Sequence, residues 1–200
     1  MKILKHLKSW EGFLAIILLV IVIVNSLLSE SFLSLENQIN LFVLSIEKVI
    51  IALIMAKIII NAEIDLSVAS MMGLSACALG WFVESGMPMS MALIASITIG
   101  AIGGAFNGFW ITVVKLPSLV VTLAMLIGFR GLARVLIGDR SIKMFPQWFE
   151  DLGQQPFFWN IPFSVMIFIA LLICVVITLE YTGFGRHIYI IGINQNVALY

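Results

Sequence analysis

Polar side chains are sparse along this chain, and their positions divide it into apolar blocks of bilayer length. Six blocks meet the requirement of about 17–25 mostly apolar residues for a helix that crosses hydrocarbon. They run roughly from Phe13 to Leu28, Leu41 to Ile60, Leu66 to Val83, Met89 to Val114, Ser118 to Ile137 and Pro162 to Leu179. Backbone polar groups in lipid must be satisfied within the segment, which selects helices. The pattern therefore predicts an all-α integral membrane protein, a polytopic helical bundle of about six transmembrane helices in one domain over residues 1–200.

The most informative interruption is Asn61 to Gly73, which reads Asn-Ala-Glu-Ile-Asp-Leu-Ser-Val-Ala-Ser-Met-Met-Gly. Glu63 and Asp65 stand between two apolar blocks, at the first turn of the second, where free N–H groups and the positive end of the dipole favour carboxylates. Two readings stay open. Asp65, or Ser67 beside it, is an N-cap; or the acids have a task, since a charge at a transmembrane helix centre costs about 2.5–3.5 kcal/mol on insertion scales. The second block also carries Glu47, Lys48 and Lys57, which suits a helix surrounded by protein more than by acyl chains.

Small residues recur every four positions on the fourth block, at Ala92, Ser96, Gly100, Gly104 and Gly108. The spacing predicts a seam where another helix approaches closely, with a shorter ridge at Ala69, Gly73 and Cys77. Asn107, beside that ridge, is either an interhelical amide or part of a polar path. Arg130 and Arg134 share a helix face. They read first as snorkelling or acid-paired cations and second as a substrate contact.

Composition narrows the class. A chain that is 62% hydrophobic and 11% charged, with mean hydropathy +1.13, has too little polar surface to cover a water-soluble core. Zero formal net charge gives no electrostatic reason for a nucleic-acid partner. Cys77 and Cys174 fall inside apolar runs and form no zinc or disulfide pattern. His6 and His187 are isolated from any Cys or acid cluster, so no metal and no cofactor are assigned. There is no phosphate-binding glycine loop followed by Lys and Ser or Thr, so the chain is expected not to be an enzyme that hydrolyses ATP itself.

Lys2, Lys5 and Lys8 precede the first block as in a signal peptide, but the run is long and the rest of the chain stays membranous, which favours an uncleaved first span. With those lysines inside, alternation puts Asn61–Asp65, Lys115–Pro117 and the tail from Glu180 inside, and Gly138 to Ile161 outside. Arg140 and Lys143 run against this assignment. The outer stretch holds Phe145, Trp148, Phe149, Phe157, Phe158 and Trp159, with Pro146 and Pro156 limiting helix length. An aromatic belt at the headgroups explains this density most simply, with stacking on a sugar as the second reading.

Four stretches together resemble the permease subunits of bacterial sugar ABC importers, the ribose, rhamnose and autoinducer-type branch. They are Glu63 to Ala69, Gly104 to Gly108, Leu116 to Leu123 continuing to Arg130–Ala133, and Thr182 to Arg186 through Tyr189, Gly192 and Asn194. The resemblance implies a multi-pass permease of the bacterial inner (plasma) membrane, with its amino terminus cytoplasmic, that moves sugar by alternating access. Its implied partners are a cytoplasmic ATP-binding subunit, a periplasmic sugar-binding protein, a second permease copy and the lipid bilayer. Glu63, Asp65, Asn107 and Arg130 are candidates for the substrate path or gate. Gly183, Gly185, Arg186, Gly192 and Asn194 are candidates for ATPase coupling, in an inner loop from Gly183 to Ala198 whose glycines would permit a tight turn. Ser96, Gly100, Gly104 and Gly108 are the packing candidates.

Two departures from the family pattern stand out. Ala62 occupies a place where relatives usually have glycine, and the chain stops at Tyr200 where the family continues into further spans. The sequence is therefore expected to be the amino-terminal portion of a permease. The rival readings are an ion-coupled secondary carrier using Glu63, Asp65 or Glu47 as a proton relay, and an inactive truncated fragment. An intramembrane hydrolase is disfavoured because the acid pair has no His or metal-ligand set near it in sequence.

Overall fold

The computed structural model describes residues 10–193 except 144, 155, 159 and 160. Lys2, Lys5, Lys8, His6, Trp159 and Asn194 lie outside the described residues. The helices are α1 (Trp10–Leu28), α2 (Leu35–Ile60), α3 (Val68–Glu84), α4 (Met89–Thr112), α5 (Ser118–Ile137), α6 (Gln147–Gln154), α7 (Phe163–Val176) and α8 (Gly183–Ile193). A π-helical turn, Ile177–Tyr181, extends α7. A two-stranded antiparallel hairpin, β1 (Pro156–Phe158) with β2 (Ile161–Pro162), follows α6. The chain divides into two compact units, Met1–Ile46 and Glu47–Tyr200, with the division falling inside α2.

Each apolar block is a helix. Among the described residues, Met89–Thr112, Ser118–Ile137 and Phe163–Tyr181 are long and apolar enough to cross a membrane, while Gly12–Leu28 and Val68–Glu84 are shorter apolar helices. Helix α2 has the length, at 26 residues, but carries four charged side chains, Glu36, Glu47, Lys48 and Lys57. It begins six residues ahead of its apolar block because Ser34 caps it: the Ser34 hydroxyl accepts from the Asn37 backbone N–H at 3.3 Å. Pro88, Pro117 and Pro162 stand immediately before α4, α5 and α7, where a missing N–H removes no helical bond.

Two helices end in left-handed residues that are not glycine. Ala62 has φ 60° and Lys115 has φ 62°. At the end of α2 the Glu63 N–H donates to the Ile58 carbonyl at 3.1 Å, and at the end of α4 the Leu116 N–H donates to the Trp110 carbonyl at 3.1 Å. These are helix-terminating closures of the kind glycine favours. Ala62 thus adopts the conformation that a glycine would take there, at a cost of about 1–2 kcal/mol.

Helix α3 packs against α4 and α5 to make the centre of the larger unit. Leu74 and Ala78 of α3, Ala92, Ser96, Gly103 and Asn107 of α4, and Val121, Thr122 and Phe129 of α5 are buried. The four-residue ridge on α4 does not face one neighbour throughout. Each four-residue step over-rotates by about 40° on a helix of 3.6 residues per turn, so burial passes from Ala92 and Ser96 to Gly103 and Asn107. Ser75 approaches Gly100, and a side chain at Gly103 would run into Met71, whereas Gly104 and Gly108 have open space beside them.

The segment from Gly183 is helical where the sequence suggested a loop with a tight turn. The Thr182 hydroxyl accepts from the Gly185 N–H at 3.2 Å, capping α8. Its glycines serve close approach instead: a side chain at Gly185 would strike the Thr178 and Leu179 carbonyls, and one at Gly192 would strike the Ile60 carbonyl. At the other end of the unit, Arg140 pairs with Glu84 at 3.3 Å and Ile142 covers Gly80, holding the stretch before α6 against α3.

Candidate functional site

Residues 61–67 form a non-helical junction between α2 and α3, and its polar groups are tied to two other helices. The Asp65 Oδ1 accepts from the Ser67 backbone N–H at 2.8 Å and from the Ser67 hydroxyl at 2.7 Å. The Asn107 Nδ2 of α4 donates to the same hydroxyl at 2.8 Å. Chemistry sets the order of this relay, since an amide nitrogen only donates and a carboxylate only accepts. The hydroxyl is left to pass its hydrogen from the Asn107 side toward Asp65. Ser67 and Asn107 are 1% and 5% exposed, so the relay lies in a low-dielectric place where hydrogen bonds act more strongly than in water. The Asn107 Oδ1 is buried without a hydrogen-bond partner among the described residues.

Asp65 does not cap α3 as expected: its carboxylate closes a two-residue turn onto the Ser67 N–H ahead of the helix, and no side chain caps the first helical N–H groups. Ser67 stands at the N-cap position, but its hydroxyl is turned to Asp65 and caps nothing. The first turn of α5 holds the other side of the junction. Thr122 Oγ1 donates to the Ser118 carbonyl at 2.8 Å and lies 3.4 Å from the Ile64 carbonyl, and the Ile64 N–H meets the Ser118 hydroxyl at 3.5 Å.

A cavity of about 510 Å³ opens beside this junction. Its walls are Lys57 from the end of α2, Asn61, Glu63 and Asp65 from the junction, Gly104, Asn107 and Gly108 from α4, Ser118 and Thr122 from α5, and Phe184, His187 and Ile188 from α8. Both charge signs, hydroxyls and an apolar lining that includes Ile54, Ile58 and Ile191 therefore meet in one space.

The structure brings Glu63, Asp65 and Asn107 together here. Arg130 is elsewhere, in a separate cleft of about 300 Å³ with Ala69, Ser70, Gly73, Cys77, Leu126 and Ala133. Arg134 pairs with Asp139 at 3.4 Å, both side chains largely solvated, an arrangement worth little. Of the coupling candidates, Gly185 is buried, Gly192 lies against Ile60, and Gly183 and Arg186 are exposed on α8. Ser96 is buried within α4 and its hydroxyl donates to the Ala92 carbonyl at 2.8 Å.

His187, read as isolated from any Cys or acid cluster, lines the same cavity as Glu63 and Asp65. Helix α8 carries it across more than 120 residues of sequence, and only the 3.6-residue spacing of Phe184, His187, Ile188 and Ile191 hinted at a common face. No group of three or more His, Cys, Asp or Glu able to hold a metal ion occurs among the described residues. Ser118 and Thr122, also missed as functional groups, are a polar pair one turn apart at a helix start.

The profile of a family described as branched-chain amino acid transport system / permease component matches residues 37–200. The chain is 34% identical over 157 residues to the autoinducer 2 import system permease protein LsrD of Escherichia coli (strain K12), of Escherichia coli O157:H7 and of Shigella flexneri. The similar region is 76% of this chain and 47% of each relative, so the chain spans about half the length of the curated relatives it matches. No solved structure matches it significantly.

Proposed function

The chain belongs to the transport-system permease family whose profile covers residues 37–200, and from that premise we propose that it supplies about half of the conducting subunit of an ATP-driven sugar importer. The observation that carries this reading is the hydrogen-bonded junction Asp65–Ser67–Asn107, opening on a cavity whose other wall is α8. A neutral, hydroxyl-rich solute such as a pentose, hexose or deoxyhexose suits that cavity. It can exchange hydrogen bonds with hydroxyl, amide and carboxylate groups in turn without the desolvation cost of an ion.

In the proposed cycle a periplasmic binding protein delivers the sugar, and a second permease copy completes the path. A cytoplasmic ATP-binding subunit docks on α8 and drives alternating access. Helix α8 is suited to transmit movement, because Gly192 seats it on the Ile60 carbonyl at the end of α2, one residue before the junction begins. The amino terminus is cytoplasmic and the protein multi-pass in the inner membrane. The test is uptake of labelled sugar by a permease that contains this chain. Asp65→Ala abolishes uptake while membrane insertion is unchanged; uptake at the unmodified rate would reduce Asp65 to a dispensable turn residue.

One observation favours a second reading. Glu63 and Asp65 line the cavity without an ion pair among the described residues, as the proton relay of an ion-coupled carrier would. Uptake that survives loss of the ATPase but collapses with the proton gradient would establish that carrier in place of the importer.

A further inference from the structure

One atom of the junction has no role in the relay. Asn107 is 5% exposed and its Nδ2 donates to the Ser67 hydroxyl at 2.8 Å, but its Oδ1 is buried with no hydrogen-bond partner among the described residues. An acceptor buried without a partner is destabilising, and one that persists calls for a donor from elsewhere.

The relay decides which end of the amide is left over. The Ser67 hydroxyl donates to Asp65 Oδ1 at 2.7 Å, so its hydrogen is committed and its oxygen can only accept from α4. The amide atom beside it must therefore be the nitrogen, and the amide cannot turn over while Asp65 is a carboxylate. Oδ1 is held as an acceptor.

The space next to this amide is open. Asn107 is part of the wall of the cavity of about 510 Å³, and so are Gly104, one turn earlier on α4, and Gly108, the next residue. A Cβ added at either glycine would meet nothing within 4 Å, so bare backbone flanks the amide. An unpaired acceptor and a gap beside it thus coincide at one place on α4.

We propose that Asn107 Oδ1 is a specificity determinant of the cavity: it accepts a hydrogen bond from one hydroxyl of the transported sugar and selects against sugars lacking that hydroxyl. The inference rests on the sugar-importer reading and adds the atom that discriminates. Selection follows from polarity and burial. A sugar carbon bearing only hydrogen cannot donate, and it leaves Oδ1 buried and unpaired. Glu63 and Asp65 accept as well, but both are only part-buried, so water can replace a missing hydroxyl there.

The test is uptake by a permease that contains this chain, using tritiated D-ribose, D-glucose and L-rhamnose and the monodeoxy analogues of each. In the unmodified protein, removing the hydroxyl at one position lowers kcat/KM about tenfold below the parent sugar, the effect of one lost buried hydrogen bond. Asn107→Ala brings that ratio close to one and leaves the ratios at the other positions unchanged. An amide that serves the relay alone would lower uptake of every sugar alike and move no ratio. Gly104→Ala is the second variant, because its methyl group has room and the relay stays intact. It obstructs the parent hydroxyl more than the deoxy analogue, so the same ratio falls. Where Asn107→Ala leaves too little uptake for a ratio, Gly104→Ala decides alone. Ratios that stay unchanged while the parent sugar is taken up overturn this inference and leave the importer reading standing. Uptake of none of the three parent sugars by the unmodified protein overturns the importer reading and this inference with it.

Discussion

Asn107 shows how one side chain links a hinge to a helix. Its Nδ2 holds the Ser67 hydroxyl, while its buried Oδ1 is left without a partner among the described residues. Asn107→Ala removes a favourable bond and an unpaired acceptor together, so the stability loss is small, under about 1 kcal/mol, in the range of interhelical hydrogen bonds in membranes. Unfolding in mixed micelles measures it. Uptake by the same variant falls much further, because Ser67 no longer has its fixed donor and Asp65 loses its oriented partner. Ala62 tests backbone strain at the same junction. Ala62→Gly relieves the left-handed alanine and stabilises the fold by about 1 kcal/mol, and Ala62→Val destabilises it, both read as shifts in the micelle unfolding midpoint. The acids and the amide were legible as candidates because polar groups are rare in this chain. The relay joining them was not, because Ser67 and Asn107 are forty residues apart and nothing local encodes their meeting.

At the scale of elements, length and hydropathy located the long apolar helices but not all of their bounds or the shorter helices. Helix α5 runs from Ser118 to Ile137, the residues its apolar block marked, because Pro117 and Gly138 bound it on either side. Helix α2 was longer than its apolar block because capping by Ser34 is a local polar signal outside the hydrophobic pattern. Helix α8 was misread because three glycines in eleven residues suggest a turn, whereas here Gly185 and Gly192 are the points of closest backbone approach. Gly192→Val tests this: its side chain would collide with the Ile60 carbonyl and push α8 from the end of α2. Uptake and ATPase recruitment are both lost while the protein still inserts. Retention of both would show that the contact is incidental to coupling. The α4 ridge likewise was legible as small residues, but a strict period of four is not the helix period, so the buried set includes Gly103 and leaves Gly104 beside the cavity.

At the scale of the molecule, large apolar side chains such as Leu27, Ile97 and Val135 are exposed throughout, and few positions are buried. A bundle in lipid is held by small-residue contacts and polar ties more than by hydrophobic burial, and the surfaces it leaves apolar serve lipid and partner helices. The family relationship and the half-length match to import-system permeases give that surface its meaning. The most direct test of the importer reading is co-purification in mild detergent of this chain with a candidate ATP-binding subunit. A stable complex that forms with the native α8 and is lost with Gly192→Val is the expected result. A chain that inserts, folds and takes up sugar without ever recruiting an ATPase would contradict it.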